Sequence, residues 1–129
     1  MDLRVALDTN RLVDLFQGDG ELARWLAVCD EVWIPLFVLG ELKAGFRGGT
    51  SRSRNELLLY KVLAKPTVQV LVPSFQTAEH YAQLFVQLKR AGTPIPDNDL
   101  WIAALALEHN LLLITRDQHF ERIPQLLRG

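Results

Sequence analysis

Four short apolar runs, separated by stretches of helical periodicity, limit what this chain can fold into more than any other feature. The runs are Leu3–Leu7, Val32–Ile34, Val68–Val72 and Leu111–Thr115. The first and last are near-continuous in hydrophobicity rather than alternating, the pattern of strands covered on both faces. Pro35 and Pro73 stop the second and third. Between the runs, apolar residues return at helical spacing. Leu12, Val13, Leu15 and Phe16 predict one helix, ended by Gly18, and Leu22, Trp25, Leu26 and Cys29 a second. Phe37–Phe46 predicts a third, with Val38, Leu42 and Gly45 on one stripe and a break at Gly48-Gly49. Ser53-Arg54-Asn55-Glu56 has the spacing of a capping box and predicts a helix through Leu63. Ala78, Tyr81, Ala82, Phe85 and Leu88 predict the buried face of the next helix, which Gly92 caps. Thr93–Asp97 reads as a rigid proline loop, and Asn98 as the cap of a helix reaching Glu108. The tail Gln118–Leu127 reads as a short helix interrupted by Pro124. This alternation predicts an α/β fold, a three-layer α/β/α sandwich around a mostly parallel sheet. At 129 residues, without repeat or linker, a single domain over 1–129 is expected.

Composition removes several function classes. A hydrophobic content of 49% supplies the burial that a disordered chain lacks. The lone Cys29 excludes an internal disulfide framework and a cysteine-based zinc site. No secretory signal or membrane-length apolar stretch is visible, so the expectation is a cytoplasmic protein with no membrane association. The net charge of -1 carries no sign of a nucleic-acid partner. A sum does not reveal how charges are segregated, however.

Four acids stand out against apolar surroundings. Asp8 closes the first strand, Glu41 interrupts the apolar stripe of the third helix, Asp99 lies in the first turn of the helix containing Trp101, and Asp117 follows the last strand. In parallel α/β sheets, ligands bind in the crevice at the carboxyl ends of the strands, where Asp8 and Asp117 belong. Asp99 joins them if its helix returns toward a parallel strand. Each acid also has a purely structural reading: Asx turns for Asp8 and Asp117, a helix-dipole partner for Asp99, an outward-snorkelling side chain for Glu41. Clustered carboxylates in low dielectric repel one another unless a cation joins them. A set of hard oxygen donors without cysteine suits Mg²⁺ or Mn²⁺.

At these residues the chain resembles the PIN-domain family, specifically the VapC-type toxins of toxin–antitoxin pairs. The resemblance is carried by VALDTN at Val5–Asn10, GEL at Gly40–Leu42 and NDLWIAALALEHNLLLITRDQHF at Asn98–Phe120. The last segment is the most specific, joining an acid-initiated helix, a buried strand and a TRD turn. The resemblance implies a PIN-like fold and a divalent-metal-dependent endoribonuclease that hydrolyses RNA phosphodiesters as the toxin of such a pair. The family's acids map onto Asp8, Glu41, Asp99 and Asp117, as catalytic groups and as ligands of Mg²⁺ (or Mn²⁺). Asn10 and Thr115 match polar positions that orient carboxylates. Asp97 is placed at the rim. The resemblance also implies a small antitoxin partner that covers the acidic pocket, and a homodimer, for which the apolar Leu57–Leu63 helix is a candidate face.

Other side chains are open to more than one reading. Arg47, Arg52 and Arg54 fall in a predicted basic loop, Arg47–Arg54, and suit either RNA phosphates or plain solvation. Arg116 suits substrate or a neighbouring carboxylate. His119 reads first as a surface histidine, with a reach to a phosphate or a metal's outer shell as the other reading. The alternatives to the nuclease are a catalytically silent PIN-like binding module and a related DNA nuclease. A phospho-acceptor signalling domain is disfavoured because the Val68–Val72 run ends in Pro73-Ser74 rather than an aspartate.

Overall fold

The computed structural model describes residues 2–129. Four strands form one sheet: β1 (Arg4–Leu7), β2 (Glu31–Pro35), β3 (Val68–Leu71) and β4 (Leu112–Ile114). Their order is β3-β2-β1-β4, and every pairing is parallel. Six helices connect them: α1 (Thr9–Phe16), α2 (Gly20–Ala27), α3 (Leu36–Gly48), α4 (Arg52–Leu63), α5 (Phe75–Ala91) and α6 (Asp97–Glu108). The α/β class and the buried parallel strands are as the apolar runs predict. Val5, Ala6, Leu7, Ile34 and Leu113 have no exposed surface. Arg4, the one charge in β1, lies half-buried at the strand's start, where its guanidinium donates to Glu31 at 3.0 Å.

The order of the strands generates both the layers and the crevice. The chain steps from β1 to β2 to β3 in one direction, then returns to add β4 on the far side of β1. Right-handed crossovers therefore put α1–α4 on one face and α5–α6 on the other. The return makes a topological switch between β1 and β4, the place where an open parallel sheet leaves a crevice at its carboxyl edge. α6 runs antiparallel to the strand it feeds, so its N-terminus returns to that same edge. This helix is apolar almost all round, with Leu100 and Ile102–Ala106 buried, as suits an element packed between sheet and neighbouring helices.

Several local expectations give way to tertiary constraints. The predicted capping box at Ser53 does not form: α4 begins at Arg52, after Ser51, without a side-chain cap. The predicted Arg47–Arg54 loop shrinks to Gly49–Ser51, because α3 continues to Gly48 and three residues suffice to turn one helix into the next. Gly45 is exposed, and Phe46 completes the buried stripe with Val38 and Leu42. In α5 the core takes Thr77, Leu84 and Leu88, while Ala78, Ala82 and Phe85 face outward. The helix has apolar residues on two sides, and Glu108 at the end of α6 selects one by accepting from the Thr77 hydroxyl. Asp97 and Asn98 are the first helical residues of α6, after Pro96, so Asp97 is not in the proline loop and Asn98 is not the cap.

The tail also differs from a helix broken at Pro124. A 3₁₀ turn spans Gln118–Arg122, and the last residues lie beside β4 in the parallel sense, bridging Leu113 to Arg128. Leu113 N–H donates to the Leu127 carbonyl at 2.9 Å, and Gly129 N–H to the Leu113 carbonyl at 3.0 Å. The tail thereby covers an edge that would otherwise expose unpaired backbone groups. Leu113 should be a keystone of this arrangement: Leu113→Ala is expected to cost about 2–5 kcal/mol of stability in a urea titration.

Candidate active site

Asp8 ends β1 and is the N-cap of α1, its Oδ1 accepting from the Thr9 backbone N–H at 2.8 Å. Its other oxygen, Oδ2, accepts from the Thr115 hydroxyl at 2.7 Å. Thr115 in turn accepts from the Asp117 backbone N–H at 3.0 Å, so one hydroxyl ties the acid after β1 to the loop after β4. Asp117 caps the 3₁₀ turn by accepting from the His119 N–H at 2.9 Å. Glu41, on α3, accepts from the Thr9 hydroxyl at 3.0 Å. Asp99, in the first turn of α6, completes the group. Five elements thus deliver four carboxylates to the switch between β1 and β4.

Burial and mutual repulsion show in the acidities. Asp8 is only 4% exposed, and its carboxyl is pushed above the ordinary range by desolvation, against the pull of the Thr115 and Thr9 hydrogen bonds and with help from the Asp117 charge. The Glu41 carboxyl is raised by desolvation and by the charges of Asp8 and Asp99, against the Thr9 hydrogen bond. The Asp99 carboxyl is raised by desolvation and by Asp117 and Asp8, against its contact with His119. Among the described residues, no lysine or arginine pairs with any of the four. Anionic oxygens gathered with no lysine or arginine among them are a donor set that fits a hard divalent cation.

The other predicted residues fall into three groups. Thr115 touches Asp8 directly, as an orienting residue should. Asn10 acts at one remove, its side-chain oxygen accepting from the Arg116 backbone N–H at 3.2 Å and fixing the β4 loop against α1. The Arg116 side chain turns to a neighbouring carboxylate: its Nε and a terminal nitrogen donate to Asp14 at 2.8 and 2.9 Å. Asp14 is also held by Arg11 at 2.8 Å, and the two arginines keep its carboxyl below the ordinary range. Arg47 ends α3, while Arg52 and Arg54 open α4. All three are exposed, and none bonds to the four acids. Arg54 donates instead to the Phe16 carbonyl at 3.4 Å. Asp97 is exposed, and its carboxylate accepts from the Tyr81 hydroxyl.

His119 is the residue that sequence reasoning undervalues. Its Nδ1 lies 2.9 Å from Asp99 Oδ2 and 3.1 Å from Asp117 Oδ1, so a side chain that is 39% exposed at the surface also reaches the cluster. The usable signal is the two-residue step after Asp117. An aspartate capping a tight turn binds the backbone of the second residue on, which folds that residue's ring back over the carboxylate.

Raised carboxyls make a sign prediction. Their neutral forms contribute stability that is present below the ordinary carboxylate range and lost as pH rises through the elevated value. In chelator at pH 7, Asp8→Asn should therefore be more stable than the parent, by roughly 0.5–2 kcal/mol, since Asn caps a helix as well as Asp. The difference should shrink toward pH 4, as followed by thermal melts across pH.

Known proteins match this chain over nearly its whole length. A model of the PIN domain matches residues 5–126. The ribonuclease VapC1 of Haemophilus influenzae (strain R2866) is 34% identical over 125 residues, covering 93% of this chain and 92% of that protein. The structure of VapBC2 from Rickettsia felis, bound to a DNA fragment from their promoter, matches with a TM-score of 0.88 and 26% identity over 97% of this chain and 96% of that one. VapBC-1 from nontypeable Haemophilus influenzae matches with a TM-score of 0.84 and 30% identity over 97% and 96%. With the fold, a family match over nearly the whole chain and a relative 34% identical in agreement, this protein belongs to the PIN-domain family, among its VapC-type members.

Proposed function

We propose that this protein is a divalent-metal-dependent endoribonuclease that hydrolyses RNA phosphodiester bonds as the toxin of a toxin–antitoxin pair. The observation that carries the reading is the convergence of Asp8, Glu41, Asp99 and Asp117 at the β1–β4 switch with no lysine or arginine partner among the described residues, the Asp8, Glu41 and Asp99 carboxyls being held above the ordinary range by desolvation. Relatives named ribonuclease VapC support the RNA-cutting activity.

Asp8, Asp99, Asp117 and Glu41 would hold Mg²⁺ or Mn²⁺. The ion would supply charge neutralisation at the scissile phosphate and a more acidic water at neutral pH. The chain's own groups do the positioning. The Thr115 hydroxyl fixes the rotamer of Asp8, the Thr9 hydroxyl fixes Glu41, and the Asn10 amide holds the loop that carries Asp117. The low exposure of Asp8 keeps bulk water from screening the charge at the centre of the cluster. Arg47, Arg52 and Arg54, exposed at the α3–α4 junction, would supply cations for the RNA backbone.

The same pocket suits an antitoxin. A partner that inserts an arginine would pair bidentately with these carboxylates and occlude the phosphate position. The matched VapBC structures support such a partner. A homodimer is part of the proposal as well, with Leu57 and Tyr60 of α4 55% and 74% exposed and available to an interface. Among the described residues, no helix is long and apolar enough to cross a membrane.

Two experiments test the reading. RNA cleavage should require Mg²⁺ or Mn²⁺, stop in EDTA, and fall to background in Asp8→Asn while the circular dichroism spectrum stays native. Undiminished metal-dependent cleavage by that variant would overturn the assignment, and cleavage of DNA but not RNA would favour the DNA-nuclease alternative. Replacing Arg47, Arg52 and Arg54 together with alanine should lower the salt slope of RNA binding by about 2, at roughly 0.7 per lost phosphate contact. An unchanged slope would return these side chains to plain solvation.

A further inference from the structure

We propose that His119 supplies an imidazole nitrogen directly to the metal at this site, and so makes the centre prefer Mn²⁺ over Mg²⁺. The inference rests on the reading of the acid cluster as a metal centre and adds to it the one non-oxygen donor. Three groups carry it: a carboxylate oxygen of Asp99, a carboxylate oxygen of Asp117 and a ring nitrogen of His119 all lie within 4.8 Å of one another. The contacts of Nδ1 with Asp99 Oδ2 and Asp117 Oδ1, 2.9 and 3.1 Å, match the edge of an octahedron. For metal–ligand bonds of about 2.1 Å that edge is about 3 Å.

The backbone makes this placement costly to undo. His119 N–H is bound to Asp117 Oδ1, and Phe120, the next residue, is fully buried. The backbone at His119 is therefore anchored on both sides of its Cα, and the ring itself is held by its contacts with Asp99 and Asp117. Thr115 and the Asn10–Arg116 contact fix the same loop from its other end. A hydrogen-bonding role for the ring alone would orient Asp99 and Asp117 without discriminating between ions.

Ligation has a distinct consequence. Mg²⁺ demands hard oxygen donors and near-ideal octahedral geometry, whereas imidazole suits transition metals. An all-carboxylate site separates Mg²⁺ from Mn²⁺ weakly. A site with one imidazole favours Mn²⁺ through the metal–nitrogen bond. The relevant variants are His119→Ala, which removes the donor, and His119→Gln, which offers an amide oxygen in its place.

The test is metal binding by the whole protein without substrate. Mn²⁺ and Mg²⁺ are titrated by calorimetry, and the Mn²⁺ complex is examined by pulsed electron paramagnetic resonance for coupling to nitrogen. The parent should bind Mn²⁺ the tighter of the two and show histidine nitrogen coupling. His119→Ala should weaken Mn²⁺ by about 10–100-fold, the scale of a lost metal-site interaction, and Mg²⁺ by much less. His119→Gln should recover Mg²⁺ affinity but neither the Mn²⁺ preference nor the coupling, with metal-free melting curves confirming that each variant is folded. Equal weakening of both ions, without nitrogen coupling in the parent, would overturn the proposal and leave His119 as a positioning residue. A folded parent that binds neither ion would overturn it too, by removing the metal centre itself, and that outcome is recognised before any variant is made.

Discussion

Asp8 carries a negative charge into the centre of the sheet's carboxyl edge, where only 4% of its surface meets solvent, and the surrounding structure is organised around that charge. An ionised carboxylate taken out of water must be compensated by hydrogen bonds or by opposite charge. Here two donors, the Thr9 backbone and the Thr115 hydroxyl, provide the hydrogen bonds. They do not outweigh desolvation, and the neighbouring acids add repulsion rather than relief. The carboxyl is therefore left above the ordinary range, with no lysine or arginine among the described residues to relieve it.

The loop after β4 shows how the positioning is distributed. Thr115 reaches across to Asp8, the Arg116 backbone reaches Asn10, the Arg116 guanidinium clamps Asp14 on α1, and Asp117 caps the turn that brings back His119. The first three of these interactions tie the loop to the first helix and its cap, though more than one hundred residues separate them along the chain. The Arg116–Asp14 pair is surface-exposed on the arginine side, so its value lies in geometry more than in stability. The result is two carboxylates, Asp8 and Asp117, held in fixed relation at a sheet edge that would otherwise be free to shear.

Legibility in the sequence followed the strength of the local signal. The strands were readable because complete burial leaves an uninterrupted apolar run, as in Val5–Leu7 and Leu111–Ile114. The acids were readable because a charge at the end of such a run is conspicuous. The α3–α4 junction was not, since Ser53 and Glu56 have capping spacing yet sit inside a helix whose start is set by how soon the chain must turn. The buried face of α5 is not legible because its sequence offers two apolar stripes, and the fold buries the one with Leu84 and Leu88, where Thr77 meets Glu108 of α6. His119 is hard to weigh from sequence because its one signal, the two-residue step after Asp117, marks a turn and leaves open which side chains meet across it.

The sequence by itself determined the parallel α/β architecture and marked four acids as candidates, because near-continuous apolar runs admit few structures other than covered strands and the acids interrupt or end those elements. Only the tertiary structure decided which groups meet. Placing β4 beside β1, rather than beyond β3, is a long-range choice that no local periodicity encodes. That choice sets Thr115 against Asp8, folds His119 between Asp99 and Asp117, and turns Arg116 to Asp14. It also leaves Arg47, Arg52 and Arg54 on an exposed junction without a bond to the acids. Local burial preferences are written residue by residue, whereas the balance of charge in the crevice depends on distances between residues far apart in the chain.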